Sequence, residues 1–126
     1  MMSTITSYKD LLVWQKSLVL TVGIYELTKK FPHEEIYGLT SQMRRAAASI
    51  PANIAEGSTR GYLKGYINFL SIAYGSGAEL ETFLTIAKKL KYISEEELNE
   101  PTQRLDEIMR MLNGLIRKLK VKRIRL

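Results

Sequence analysis

Residues 38–57, which read GLTSQMRRAAASIPANIAEG, place the strongest constraint on how this chain can fold. Apolar residues recur in this segment at intervals of three and four, which puts them on one face of a helix. Many of the residues around that face are alanine or serine, and such short side chains let neighbouring backbones approach closely. The segment therefore predicts a tightly packed helix, with a kink expected at its internal proline, Pro51. The apolar positions are Leu39, Met43, Ala46, Ala47, Ile50 and Ile54.

Polar side chains are set into the same packing surface, and we call them the polar seam. They could face RNA or a neighbouring subunit, or they could form an internal network that keeps the helices in register, which is the favoured interpretation. A buried guanidinium without a partner would be strongly destabilising. An acidic residue of the next helix, Glu79 or Glu81, is therefore expected to pair with an arginine of the seam. The polar seam consists of Gln42, Arg44, Arg45, Asn53, Glu56 and Glu79.

Amphipathic periodicity extends over most of the chain. It predicts four helices, at about residues 9–30, 36–59, 63–90 and 95–120. Trp14 is expected to anchor the core rather than to stack on a base. Short connections between four long helices predict an all-α, up-down-up-down antiparallel four-helix bundle. We expect a single domain over residues 1–126, with an ordered core at about 8–120. The apolar stripe of the first helix is Leu11, Trp14, Leu18, Val22 and Tyr25.

Helix-boundary signals support this division of the chain. Ser7 with Asp10 resembles a capping box that starts the first helix, and Ser94 with Glu97 resembles one that starts the fourth. Pro32 ends the first helix, because proline disfavours helical geometry in the residue before it. Gly61 is predicted to adopt the left-handed conformation that commonly follows a helix.

The sequence lacks the residues that most catalytic or cofactor sites need. It has no cysteine and a single histidine, His33, which is expected to lie at the surface of a turn. Di-iron bundles need Glu-x-x-His pairs, and haem needs an axial ligand such as histidine. No glycine-rich phosphate loop or nucleophile elbow follows a strand pattern. We therefore expect a protein that is not an enzyme and that uses no metal or cofactor.

Two further features bear on the compartment. No apolar run approaches the roughly 20 residues of a membrane span. The first residues, MMSTITSYKDLLVW, lack the basic start and apolar block of a signal peptide. These features lead us to expect a cytoplasmic protein without a membrane partner.

The positive charge of the chain is concentrated at one end. The net charge is +6, and the segment 117–126, RKLKVKRIRL, holds six basic residues and no acidic one. Such a segment is a candidate for binding nucleic acid or an acidic partner, although it could also be a solvated helix end, where cations are favourable. The candidate nucleic-acid-binding residues are Arg117, Lys118, Lys120, Lys122, Arg123 and Arg125.

Several segments together resemble the bacterial four-helix-bundle family of 23S rRNA intervening-sequence proteins. The most specific is SIPANIAEG at residues 49–57, preceded by LTSQMRRA at 39–46. The resemblance covers about residues 8–120. The other matching segments are residues 8–16, 29–39, 69–73, 75–76, 79–81 and 111–116.

This resemblance implies a homopentameric, barrel-like ring with no established catalytic residues. It also implies a similarity to the accessory protein of diversity-generating retroelements, a basic pentamer that binds nucleic acid and a reverse transcriptase. A ring would bring five copies of the basic segment together, which strengthens binding to phosphates through multivalency. The leading hypothesis is an oligomeric protein that binds nucleic acid, in particular structured RNA. The alternative is an interaction scaffold for an acidic protein.

Overall fold

Four long helices account for most of the chain. The computed structural model describes residues 7–125, without the side chain of Arg125. Two short 3₁₀ turns, Tyr8–Asp10 and His33–Glu35, precede the first and second helices, and no strand occurs within residues 7–125. The helices are α1 (Leu12–Thr28), α2 (Leu39–Thr59), α3 (Leu63–Lys89) and α4 (Glu95–Arg125).

The helices pack in chain order around one core. Helix α2 lies between α1 and α3, α4 packs on α3, and α1 also contacts α4, which closes the bundle. The connections are short, so successive helices are antiparallel, and the predicted all-α four-helix fold is confirmed. Complete burial of each large aliphatic side chain contributes about 1.5–3 kcal/mol. The largest fully buried apolar side chains are Leu20, Ile24, Met43, Ile50, Ile54, Leu70, Leu80, Ile108 and Leu112.

The predicted apolar face of α2 is confirmed, and it packs closely against α3. The side chains of Met43, Ile50 and Ile54 are fully buried. The hydroxyl oxygens of Ser49 and Ser76 lie 2.8 Å apart across the contact. Two side chains this short can meet only where the helix backbones are close. The alanine and serine side chains of α2 therefore allow the close approach of α3 that their small size predicts.

Helix α2 continues through Pro51, and α1 supplies a hydrogen bond that the proline cannot make. Proline has no N–H, so the carbonyl of Ala47, four residues earlier, loses its usual helical donor. The hydroxyl of Thr21 lies 3.1 Å from that carbonyl oxygen. It also lies 2.8 Å from the carbonyl of Ser17 in its own helix. Thr21 therefore links α1 to α2 at the point where the ladder of α2 is interrupted.

The buried face of α1 differs from the apolar stripe in its sequence. Trp14 packs against the core as expected. Leu18, Val22 and Tyr25, however, are 38%, 63% and 42% exposed. Helix α1 is apolar on most of its surface, so spacing alone does not determine which side faces the core. The residues that α1 buries are Val13, Ser17, Leu20, Ile24 and Thr28.

One of the two capping predictions agrees with the structure and the other differs, and α2 begins later than expected. Ser94 and Glu97 form the predicted reciprocal capping box, with bonds of 2.9 and 3.1 Å. Ser7 instead caps the first 3₁₀ turn by accepting from the N–H of Lys9, and α1 begins later. Helix α2 begins at Leu39 rather than near residue 36. At this helix start, the carboxylate of Glu35 accepts a hydrogen bond from the Leu39 N–H at 3.1 Å.

The helix ends also show one agreement and one correction. Gly61 has the predicted positive φ, 83°. Lys91 has a φ of 66°, and the N–H groups of Tyr92 and Lys91 bond to the carbonyls of Ala87 and Lys88, which is a Schellman motif. Helix α4 was expected to end near residue 120 but continues to Arg125. Its last turns contain no glycine or proline, and their cations are favourable at a helix C-terminus.

Candidate nucleic-acid interface

The end of α4 carries a group of exposed cations, which we call the basic end. All five side chains of the basic end that the structure describes are exposed on regular helix. None of them forms an ion pair within the described part of the chain. The sixth predicted residue, Arg125, has its side chain outside the described residues. The basic end therefore consists of Arg117, Lys118, Lys120, Lys122 and Arg123.

Elsewhere on the surface, many basic side chains are paired with acidic ones. Lys16 lies 3.2 Å from Glu107 and thereby joins α1 to α4. Arg110 pairs with Asp106 at 3.0 Å, one turn earlier on the same helix. These cations are partly neutralised, whereas those of the basic end are not. The contrast makes the end of α4 the strongest positive feature of the described surface.

The basic end lies beside the turn that joins α2 to α3. A groove of about 580 Å³ lies between the first turns of α3 and the end of α4. Lys122 lines a second hollow, of about 320 Å³, together with residues of the α2–α3 turn. Tyr62 borders both hollows. The groove is lined by Tyr62, Lys64, Gly65, Ile67, Asn68, Ser71 and Arg123.

The polar seam does not form one network, because its residues divide between the two sides of α2. On the α1 side, Arg44 is half-buried. Its Nε donates to the hydroxyl of Thr28 at 2.9 Å, and its guanidinium lies 4.8 Å from the centre of the Tyr25 ring. This arrangement supports an internal role for Arg44 in holding α1 against α2.

On the α3 side, the pairing predicted for an arginine of the seam is confirmed. Arg45 lies 3.0 Å from Glu79 and also donates to the side-chain oxygen of Gln42. The side chains of Arg45 and Glu79 are 51% and 46% exposed, so this link between α2 and α3 is at the surface. Exposed pairs of this kind contribute about 0–1 kcal/mol.

The last two residues of the polar seam lie further along α2. Asn53 donates to the carbonyl and the hydroxyl oxygen of Ser49 at 2.8 and 2.9 Å, next to the Ser49–Ser76 contact. Glu56 pairs with Arg60 at 2.7 Å. The guanidinium of Arg60 also lies 4.8 Å from the centre of the Phe69 ring. Each residue is thus engaged in contacts within the bundle.

The clearest pKa shifts belong to a structural contact. The hydroxyl of Tyr92 donates to the carboxylate of Glu35 at 2.7 Å and ties the α1–α2 connection to the α3–α4 turn. The pKa of Glu35 is lowered because the Leu39 N–H and the Tyr92 hydroxyl bond to its charged form. The pKa of Tyr92 is raised chiefly because its hydroxyl bonds to that carboxylate. Burial alone raises the pKa of Tyr66.

The described residues also bear on metal binding and on membrane insertion. Within residues 7–125, no three histidine or acidic side chains are grouped closely enough to hold a metal ion. His33 is exposed, as expected. None of the described helices combines the length and hydrophobicity that a membrane span requires.

The outward side of α1 forms an apolar surface, which we call the α1 face. It comprises Leu18, Val19, Val22 and Tyr25, which are 38–63% exposed. A hollow of about 680 Å³ lies next to it, between α1 and the start of α4. Contiguous exposed apolar surface of this kind commonly marks a protein interface. The sequence had indicated part of this stripe, but not that it faces outward.

Comparisons with known proteins agree with the resemblance found in the sequence. The model of the family described as "23S rRNA-intervening sequence protein" matches residues 9–114. A crystal structure of a protein of unknown function from the S23 ribosomal protein family of Bacteroides thetaiotaomicron is 31% identical, with a TM-score of 0.79. That match covers 86% of this chain and 98% of the other. No curated protein matches the sequence. The family match ends before residue 117 and so does not include the basic end.

Proposed function

The chain belongs to the 23S rRNA-intervening sequence protein family, and from this premise we propose that it is a non-enzymatic homo-oligomer that binds nucleic acid, in particular structured RNA. The observation that carries the proposal is the basic end of α4. Five exposed cations on consecutive helical turns have no acidic partner within residues 7–125. Their neutralisation by phosphates would release counterions, which is the main source of non-specific affinity for nucleic acid.

The experiment that tests this proposal is a binding titration with a structured RNA at several salt concentrations. The triple variant Arg117→Gln, Lys120→Gln, Arg123→Gln should bind more weakly and with a shallower dependence on salt, because phosphate contacts are lost. If three contacts are lost, the negative slope of log K against log[salt] should become shallower by about 2–3.

A matched variant distinguishes this site from a general effect of charge. Lys29, Arg104 and Arg110 are exposed, and each is paired with an acidic residue three or four positions earlier in the chain. Changing these three to Gln removes the same charge and the same residue types. We expect this control to bind RNA nearly as well as the unchanged protein. Equal loss in both variants, or no binding of the unchanged protein at low salt, would contradict the proposal.

The α1 face supports the oligomeric part of the proposal. A monomer would leave four neighbouring apolar side chains of one helix in water. We propose that copies of the chain meet through this face and form a ring, for which five copies are expected. A ring would act on one RNA through several basic ends, so its affinity would exceed that of one copy.

Solution mass, measured by light scattering or sedimentation, tests the oligomer separately. Val22→Lys places a charge in the centre of the α1 face and should lower the mass towards that of one chain. Ile36→Lys is a suitable control, because Ile36 is also exposed but lies outside the face. A mass of one chain for the unchanged protein would contradict the oligomer but not RNA binding itself.

An acidic protein is the second candidate partner, because the same unpaired cations would attract carboxylates. Capture experiments before and after nuclease treatment separate the two partners. A single protein retained after nuclease treatment, with no affinity for purified RNA, would favour the scaffold function.

A further inference from the structure

We infer that the groove between α3 and the end of α4 is a site for an unpaired nucleotide, with its base stacked on Tyr62. This inference rests on the proposed function, because it assumes that the chain binds nucleic acid. It adds what the basic end alone does not specify, namely a preference for single-stranded segments over continuous duplex. The argument depends on the ring of Tyr62, on the charges around it and on the size of the groove.

The ring of Tyr62 is exposed and lies against Gly65. It is 59% exposed, and its residue precedes α3 with extended backbone. A Cβ atom at position 65 would lie 2.7 Å from the ring atom Cζ, so the ring occupies the space that Gly65 leaves open. No other aromatic ring stacks on Tyr62 within residues 7–125. An exposed aromatic ring that is not covered by another ring is suited to stacking on a base.

The groove next to this ring carries complementary charge and hydrogen-bonding groups. Lys64 and Arg123 line it, and neither forms an ion pair in the described part of the chain. The side-chain amide of Asn68, also in the lining, is exposed and has no hydrogen-bond partner among the described residues. An amide can donate to and accept from the edge of a base. Cations that line the same groove as a stacking surface suit the phosphates of a strand that passes through it.

The size of the groove agrees with this occupant. Its volume of about 580 Å³ lies within the range of about 300–1,000 Å³ that is usual for small-ligand clefts. Bases in a continuous duplex are stacked on one another and cannot enter it, whereas bases in loops, bulges and single strands can. Every base has an aromatic face, so stacking on Tyr62 would discriminate little between sequences.

The test compares two RNA probes by fluorescence anisotropy: a labelled 12-nucleotide polyuridine and a labelled 12-base-pair duplex RNA. Tyr62→Ala should weaken binding of the single strand by about 5- to 150-fold, because base–aromatic stacking is lost, and should change duplex binding less than twofold. Tyr62→Phe should retain single-strand binding within about twofold, because it keeps the ring. Tyr37→Ala removes a tyrosine that is 95% exposed elsewhere and should have no effect on either probe.

Other outcomes separate this inference from the proposed function. If the unchanged protein binds both probes and Tyr62→Ala alters neither, or weakens both equally, stacking on Tyr62 is refuted while RNA binding stands. If the unchanged protein binds neither probe at low salt, both proposals fail. Thermal melting of each variant shows whether it is folded, and Tyr62→Leu, which keeps an apolar side chain but removes the aromatic face, takes the place of the alanine variant if that variant is not folded.

Discussion

The hydrogen bond from Thr21 to the carbonyl of Ala47 provides a sharp test of how α2 accommodates its proline. We consider the substitution Thr21→Val, which keeps the size and branching of the side chain but removes the hydroxyl. The oxygen of Ala47 would then have neither the helical donor, which Pro51 cannot supply, nor the donor from α1. An unsatisfied buried carbonyl costs about 1–3 kcal/mol, so the free energy of unfolding should fall by about that amount.

The same substitution in a Pro51→Ala background isolates this effect. Alanine at position 51 has an N–H that can donate to the Ala47 carbonyl, so the hydroxyl of Thr21 is no longer required. Thr21→Val should then cost less than about 0.5 kcal/mol, which gives a coupling energy of about 1–2 kcal/mol between positions 21 and 51.

The assay is urea unfolding followed by far-ultraviolet circular dichroism. All variants must be compared at one protein concentration, because oligomerisation raises apparent stability. Thr85→Val is the control, since the hydroxyl of Thr85 is exposed and donates only within α3, at 3.0 Å from the Glu81 carbonyl. It should change stability by less than about 0.5 kcal/mol. Equal losses from Thr21→Val in both backgrounds would refute the role assigned to Thr21.

Three further predictions concern helix ends and helix packing. Lys91→Gly should raise the free energy of unfolding by about 1 kcal/mol, because a non-glycine residue at a φ of 66° is disfavoured. Gly57→Ala should leave the protein about 1–3 kcal/mol less stable than Gly75→Ala, because a Cβ at 57 would lie 2.7 Å from the Cβ of Phe69, whereas one at 75 meets nothing within 4 Å. Acidification should destabilise the protein as Glu35 is protonated, since its pKa is lowered from the ordinary value of 4.5 by hydrogen bonds to its charged form.

Chemical unfolding measures the free energy of unfolding for all three predictions, and each prediction has an outcome that would contradict it. For Lys91 the control is Lys89→Gly, which should lose stability because position 89 is helical; loss in both would contradict the first prediction. Equal stabilities of the two alanine variants would contradict the second. Stability from Glu35 is present above its unfolded pKa and disappears as pH falls through the lower folded pKa. Glu35→Gln should therefore flatten the decline below about pH 5, and an unchanged profile would contradict the third.

Local sequence signals predicted the parts of the fold that depend on neighbouring residues. The capping box of Ser94 and Glu97 involves two residues one turn apart, so its sequence specifies its hydrogen bonds. The left-handed conformation of Gly61 depends on its own missing side chain. The apolar face of α2 is unambiguous because only one side of that helix is apolar. The ion pair of Arg45 with Glu79 could be expected once two close helices were inferred.

The candidate site was only partly predictable from the sequence, because local signals reveal only residues that are close together along the chain. The basic residues of α4 form one continuous run, so their concentration is visible in the sequence. Tyr62, Lys64 and Asn68, however, lie some sixty residues away from Arg123 along the chain, and no local pattern joins them. A tyrosine before a helix, followed by a glycine three positions later, is a common sequence. Only the structure shows that the ring of Tyr62 lies against Gly65. The groove exists because an antiparallel bundle brings the start of α3 beside the end of α4.

The sequence by itself thus determined the number of helices, most of their boundaries, the buried side of α2 and the position of the excess charge. Each of these follows from interactions between residues a few positions apart. Only the tertiary structure decided that Leu18, Val22 and Tyr25 face outward and that α4 passes beside Tyr62. It also decided that the hydroxyl of Thr21 bonds to the α2 carbonyl that lacks its helical donor. The physical reason is that α1 is apolar on most of its surface, so its orientation depends on which side fits against α2 and α4. Contacts between separate helices depend in the same way on how all four pack together.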